Sequence, residues 1–150
     1  MSRVLLVEDE AHKRDEMKRC VMEVYGVDPE VVDSVRGAVM KVMEEDFNLI
    51  ILDMALSTFG ESADDKIKGH DQAQGGMEVV CALNAVKKRA KIMIVTQYPD
   101  FLIGSTKVKL KDAGKVVGEK YGQEVIGAVL YTYKSSATLQ RIVSILKAHV

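Results

Sequence analysis

The chain has 150 residues, of which 47% are hydrophobic and 29% charged, with 11 glycines and 2 prolines. This length suits one domain with its own core, and this composition excludes disordered, collagen-like and low-complexity chains. The 21 basic and 22 acidic residues leave a net charge of −1, which argues against direct nucleic-acid binding. No apolar run is long enough to span a bilayer and no secretory segment is evident, so we expect a cytoplasmic protein with no membrane partner.

Short apolar runs rich in β-branched residues alternate along the chain with segments of helical periodicity. The runs predict strands at 3–7, 27–33, 49–52, 92–95 and 125–133, of which the second is weak. The helical spacing predicts helices at Ala11–Tyr25, after Ser34, at 76–90 and after Ser135 or Ser136. Alternation of this kind predicts an α/β protein with a parallel sheet and helices on both faces. The expected fold is a flavodoxin-like, doubly wound five-stranded sheet with the order 2-1-3-4-5.

Two segments interrupt the alternation. Residues 54–75 are polar and contain several glycines, whereas 97–123 combine a strand-like stretch at 107–111 with helical spacing toward Tyr121. Structureless loops of such length are uncommon in compact domains and tend to be functional. No repeat or linker divides the chain, so we predict a single domain over 1–150 with these two atypical segments.

The last strand of the expected order lies at an edge of the sheet. Residues 125–133 are apolar and uncharged, and an exposed edge of this kind is a template for pairing with other chains. We therefore expect the strand to be protected by 97–123 or by a second copy of the protein, as a homodimer. This face is the predicted surface for a protein partner.

Ligands of such a sheet bind beyond the carboxyl ends of its strands. Glu8 and Asp9 follow the first strand, Asp53 the third, and Thr96 and Lys134 end the fourth and fifth. The first and third strands are neighbours in the expected order, so their carboxylates should converge and repel one another unless a cation lies among them. Carboxylate oxygens with open water positions favour a hard cation such as Mg²⁺.

The acidic turn after the first strand argues against a nucleotide or flavin, because those sites place a glycine-rich turn there. A bound metal reverses the local charge, and a phosphoryl group then becomes acceptable. Asp53 would be the nucleophile that receives this group as an acyl phosphate. Mg²⁺ and Lys134 would neutralise charge during the transfer, while the hydroxyl of Thr96 would contact a phosphoryl oxygen.

The segments VLLVEDE, LIILD, IMIVTQ and YTYK resemble the four signature segments of the receiver domain of response regulators, the CheY-like fold. The resemblance spans the chain and implies that a histidine kinase or phosphotransfer protein phosphorylates Asp53. It also implies that Glu8 and Asp9 bind Mg²⁺, directly and through water. The backbone carbonyl of Ala55 would be the third protein ligand of the metal.

The same resemblance implies a switch pair, Thr96 and Tyr131, in which the hydroxyl moves to the phosphoryl group and the aromatic ring follows inward. Three positions depart from the usual pattern. Ser135 and Ser57 stand where the family commonly has proline, and Gln97 stands where a small residue is usual. The two enlarged segments depart from the family as well. These departures bear on the kinetics and the output surface more than on the fold.

The leading hypothesis is a stand-alone receiver domain of a two-component system, since the chain ends shortly after its last predicted helix. It would pass its signal to a downstream effector protein, with no enzymatic activity beyond self-phosphorylation from a donor and autodephosphorylation. One alternative is a pseudo-receiver that acts as a constitutive interaction module, its pocket occluded by Gln97 and the long loop. Another is a Mg²⁺-dependent phosphotransferase or phosphatase, although no second nucleophile or general base accompanies Asp53 in the sequence.

Overall fold

The computed structural model describes residues 2–55, 75–103 and 105–150. The elements of these residues, in chain order, are β1 (Val4–Val7), α1 (Ala11–Tyr25), β2 (Glu30–Val32), α2 (Val35–Glu44), β3 (Leu49–Leu52), α3 (Gly75–Ala85), β4 (Lys91–Thr96), β5 (Asp100–Ile103), β6 (Thr106–Lys109), α4 (Leu110–Tyr121), β7 (Glu124–Leu130) and α5 (Ser136–His149).

The main sheet has the order β2-β1-β3-β4-β7, and all of its neighbouring strands are parallel. Counted within this sheet alone, the order is the predicted 2-1-3-4-5, so the flavodoxin-like fold is confirmed. The central strands β1 and β3 read VLLV and LIIL, and every residue of both is buried. Continuous apolar strands of this kind are typical of a parallel sheet that is covered on both faces.

Helices cover the sheet from two sides. On one side α2, α3 and α4 share a core with Leu5 and Val7 of β1, and on the other α1 and α5 share a core with Val4 and Leu6. Successive strand residues point to opposite faces, so one short strand contributes to both cores. Ser34 and Ser135 cap α2 and α5, accepting hydrogen bonds from the amides of Gly37 at 3.0 Å and Thr138 at 3.2 Å. Of the two serines considered for the last cap, Ser135 is the one used.

The segment 97–123 forms a hairpin followed by a helix. β5 and β6 pair antiparallel as a separate two-stranded sheet, with Phe101, Ile103 and Val108 buried in the main core. The strand-like stretch at 107–111 is thus half strand and half helix, because α4 begins at Leu110. α4 packs against β7, and a Cβ at Gly114 would lie 3.3 Å from Val125. The helix of this segment therefore packs on one face of the last strand, and the expected protection of the free edge of that strand stays a prediction.

Two boundaries differ clearly from the sequence prediction, those of β7 and α3. β7 ends at Leu130 instead of residue 133, because Tyr131–Lys134 leave the sheet in a turn in which the amide of Ser135 donates to the carbonyl of Thr132 at 3.3 Å. α3 ends at Ala85 and not at residue 90. Lys87, two residues after the end of the helix, has a positive φ of 58°. Most of the predicted 54–75 segment, including Ser57, lies outside the described residues.

Candidate functional site

The carboxyl ends of β1 and β3 bring three acidic side chains together. Val7 pairs with Leu52 in the sheet, so the residues that follow these strands leave it side by side. Carboxylate oxygens of Glu8, Asp9 and Asp53 lie within 4.8 Å of one another. Glu8 is 1% exposed and Asp53 is 5% exposed. The convergence predicted from strand order is present, and its oxygen donors are those that a hard cation such as Mg²⁺ prefers.

The ammonium group of Lys13 lies inside this acidic cluster. Its Nζ is 2.7 Å from Glu8 Oε1 and 2.8 Å from Asp53 Oδ2. The same nitrogen donates to the backbone carbonyl of Val95 at 2.8 Å. These three acceptors match the three N–H donors of an ammonium, and Lys13 is fully buried. A side chain that the sequence reasoning did not consider thus occupies the centre of the site.

A signal in the sequence could have identified Lys13. The predicted α1 has Met17, Cys20 and Val21 on its inward face, and Lys13 lies one helical turn before Met17 on that face. A lysine on a buried stripe requires an anionic partner, because an isolated ammonium is costly to bury. The carboxylates at the strand ends are such partners.

Burial and charge act in opposite directions on the two ionisable partners. Burial raises the pKa of Glu8 to about 8, and the nearby Asp53 carboxylate adds to this while Lys13 opposes it. Burial lowers the pKa of Lys13, but the charges of Asp53 and Glu8 outweigh it and hold the pKa above its ordinary value. One ammonium therefore stays charged beside Asp53, while burial favours the protonated form of Glu8. With Glu8 and Asp9 next to Asp53, the site still offers a group of oxygen ligands of the kind that a divalent cation prefers.

Asp53 has an oriented carboxylate. Its Oδ1 accepts a hydrogen bond from the amide of Ala55 at 2.9 Å, and its Oδ2 is held by Lys13. Thr96, fully buried at the end of β4, accepts from the amide of Tyr98 at 3.3 Å. Gln97 is exposed, and its amide nitrogen lies 3.4 Å from Glu10 at the rim. The glutamine predicted to crowd the pocket points outward to the rim.

Tyr131 is buried and faces inward. Its hydroxyl donates to the carboxylate of Glu16 on α1, and its backbone amide donates to the carbonyl of Thr96 at 2.7 Å. Burial, together with the hydrogen bond to Glu16, raises the pKa of Tyr131. The ammonium of Lys13 lies 5.4 Å from the centre of the tyrosine ring. The predicted switch residues Thr96 and Tyr131 are therefore joined through the backbone and lie next to the acidic cluster.

Lys134 is placed differently from the expectation. Its side chain is exposed, with Nζ 5.4 Å from the centre of the Tyr133 ring, and its backbone has a positive φ of 57°. In the described part of the chain, Asp53 is paired with Lys13. The physical reason is the early end of β7, which leaves Lys134 in the turn four residues beyond the strand.

Solved structures that this chain resembles are response regulators. A response regulator from Colwellia psychrerythraea matches with a TM-score of 0.62 and 19% identity, over 98% of each chain. TrrA from Thermotoga maritima, solved in complex with Mg²⁺-BeF, matches with a TM-score of 0.58 and 19% identity, over 97% of this chain and 99% of that one. These likenesses show the fold, which is that of a CheY-like receiver domain.

The sequence comparison defines the family. No protein-family model matches the chain. The Detocs response regulatory protein DtcB from Vibrio alginolyticus is 32% identical over 136 residues, which cover 89% of this chain and 91% of the relative. The chain therefore belongs to the response-regulator family. Receiver-domain regulators are in general signalling switches and not enzymes. Among the residues that the structure describes, no helix is long and apolar enough to cross a membrane.

Proposed function

We propose that this chain is a phosphorylation-controlled signalling switch of a two-component system, working as a single receiver domain over residues 1–150. Asp53 accepts a phosphoryl group, and the change alters a protein-binding surface. The observation that carries this proposal is the buried carboxylate of Asp53 at the end of β3, grouped with those of Glu8 and Asp9. Buried carboxylates this close repel one another, so grouping them does not stabilise the core. A role in binding a cation and a phosphoryl group explains the arrangement better than a role in packing.

The donor set supports a Mg²⁺ site at the same place. Asp9, Asp53 and the backbone carbonyl of Ala55 would hold the ion, with Glu8 directly or through water. Mg²⁺ supplies positive charge that offsets the charge of the transferring phosphoryl group. Asp53 acts as the nucleophile through a carboxylate oxygen already oriented by the Ala55 amide. Lys134 is exposed here and would have to move to take part.

The switch joins Thr96 and Tyr131 to the phosphoryl group. The hydroxyl of Thr96 is buried next to the site and bonded only to a backbone amide in the described contacts, so it can turn toward a new acceptor. A ligand shifts such an equilibrium through contacts that differ between the two states, and this hydroxyl contact is one. The adjoining backbone of Tyr131 would pass the change outward.

The partners follow from this role. A histidine kinase or phosphotransfer protein donates the phosphoryl group, and a downstream effector protein, or a second copy of the chain, reads the altered surface. The protein works in the cytoplasm and catalyses nothing beyond its own phosphorylation and dephosphorylation.

One observation favours a second candidate, a pseudo-receiver that binds partners constitutively. Lys13 already places a cation between Glu8 and Asp53 without any metal. In this reading the ammonium keeps the site closed to phosphorylation.

Incubation with Mg²⁺ and acetyl phosphate separates the two candidates. Intact mass should show one added phosphoryl group on the native protein and none on Asp53→Asn. Asp15→Asn, an exposed aspartate of α1, is the control and should be labelled like the native chain. No adduct on the native protein would favour the pseudo-receiver, and an adduct that survives Asp53→Asn would refute the assigned acceptor.

A further inference from the structure

The buried lysine of α1 has the position of a reacting group. Lys13 Nζ lies 2.8 Å from Oδ2 of Asp53, whose carboxylate would receive the phosphoryl group. The carbonyl of Val95 and the carboxylate of Glu8 fix the nitrogen from two other directions. Donors held in place before the reaction stabilise developing charge more than mobile ones do, because no reorganisation is needed.

We propose that Lys13 is the catalytic cation of Asp53, in the role that the family pattern assigns to Lys134. This inference rests on the proposed function. The N–H of Lys13 that now contacts Asp53 Oδ2 donates instead to an oxygen of the transferring phosphoryl group and afterwards of the acyl phosphate, while Glu8 and the carbonyl of Val95 keep the other two. The cation is thereby supplied by the first turn of α1 and not by the turn after β7.

The charge balance of the transfer calls for such a group. A carboxylate oxygen of Asp53 forms a bond to phosphorus as the bond between phosphorus and the donor oxygen breaks. With acetyl phosphate, the electron pair leaves on acetate, and no proton transfer is required. Asp53 changes from a carboxylate to an acyl phosphate and gains negative charge, while Lys13 stays protonated throughout. An ammonium already in contact with Asp53 offsets part of that gain.

Lys13 also contacts Glu8, so it shares its anionic partners with the metal. Removing the ammonium leaves more negative charge for a divalent cation. Lys13→Met should therefore bind Mg²⁺ more tightly and yet transfer the phosphoryl group more slowly. A purely structural lysine would not produce this pair of opposite effects, because loosening the site would weaken metal binding as well.

The experiment compares Lys13→Met with the matched variant Lys134→Met. Phosphorylation rates are measured by intact mass with acetyl phosphate at saturating Mg²⁺, and Mg²⁺ affinity is measured by titration calorimetry. We expect Lys13→Met to lose about 100-fold in rate, the usual scale for one charge-stabilising donor. Lys134→Met should stay within about threefold of the native rate. Lys13→Arg, which keeps the charge, should fall between Lys13→Met and the native protein.

Native rates in Lys13→Met together with a large loss in Lys134→Met would overturn the inference and return the role to Lys134. Faster labelling of Lys13→Met than of the native chain would also overturn it, by showing that Lys13 blocks the site. If the native protein is not labelled at all, the proposed function fails first, and the catalytic role with it. Should Lys13→Met not fold even with Mg²⁺, a native rate in Lys134→Met supports the inference and a hundredfold loss there refutes it.

Discussion

Lys13 and Arg3 each bridge two carboxylates, at opposite ends of the same sheet. Lys13 joins Glu8 and Asp53 beyond the carboxyl ends of the strands, at 2.7 and 2.8 Å. Arg3, ahead of β1, joins Glu30 and Glu45 at 2.6 and 2.5 Å. The bond lengths are nearly the same, yet the side chain of Lys13 is 1% exposed and that of Arg3 is 43% exposed.

The pKa values of the carboxyls show what this difference in burial does. Hydrogen bonds from Arg3 and Lys41 lower the pKa of Glu30, and those from Lys41 and Arg3 lower the pKa of Glu45. At the other end, burial raises the pKa of Glu8 although an ammonium touches it. Water and two cations stabilise the charged form of the exposed carboxyls, whereas burial favours the protonated form of Glu8. The two clusters have nearly the same geometry, and burial decides which form of the carboxyl is favoured.

The largest expected effect comes from removing each cation in turn. In metal-free buffer, Lys13→Met should lower the free energy of unfolding by about 3 kcal/mol, because it leaves buried carboxylates without their partner. Arg3→Met makes the same change at the exposed cluster, and its urea midpoint should move little, with the difference vanishing in concentrated salt. Saturating Mg²⁺ should restore much of the loss in Lys13→Met. Equal losses in the two variants would contradict the contrast.

A second expected effect concerns pH. Folding raises the pKa of Glu8 from 4.5 to about 8, so between these values the folded protein holds a proton that the unfolded chain releases. The contribution of Glu8 to stability is therefore full below the lower value and is lost as the pH rises toward the higher one. Urea unfolding with a chelator from pH 5 to 8.5 should show this decline in the native protein. Glu8→Gln should flatten it, and Glu119→Gln on the exposed face of α4 should not.

A smaller effect tests how much a buried hydrogen bond that belongs to no ion pair contributes to stability. Tyr131→Phe removes the hydroxyl that donates to Glu16, a residue that is 7% exposed. A lost hydrogen bond to a buried charged group should lower the free energy of unfolding by about 1.5 kcal/mol. Tyr133→Phe, whose side chain is half exposed, is the matched control and should be neutral. A neutral Tyr131→Phe would show that Glu16 finds another donor.

The alternation of apolar strands and amphipathic helices predicts the fold well, because burial on both faces imposes it. The grouping of the residues at the strand ends could be predicted equally well, because a parallel sheet brings Glu8 and Asp53 together regardless of the conformation of the loops. Lys13 was missed because a lone lysine in a helical pattern is usually solvated, although its place on the inward face of α1 favours a partner among the carboxylates at the strand ends. Lys134 was placed by assuming that the apolar run continued in the sheet to residue 133. Nothing local marks the turn after Leu130, where strand pairing gives way to contacts with α1.

The hairpin β5–β6 shows another limit of sequence reasoning. Phe101 and Ile103 alternate with the less buried Asp100 and Leu102, and the buried Val108 lies between the exposed Lys107 and Lys109, which is the alternation of half-buried strands. Each strand has four residues, too few for the pattern to stand out from the surrounding loop. The pairing of the hairpin depends on packing onto the main core, whose residues lie far from the hairpin in sequence.

The chain leaves β3 and begins α3 at almost the same point in space. The amide of Gly76 donates to the carbonyl of Met54 at 3.0 Å, and a Cβ at Gly76 would lie 2.6 Å from the carbonyl oxygen of Asp53. The two ends of the intervening stretch 56–74 are thus clamped together independently of what lies between them. Doubling the length of a flexible connection costs only about 0.6 kcal/mol. A change in the number of residues between these two ends is therefore expected to cost the fold little and to leave Asp53 in place.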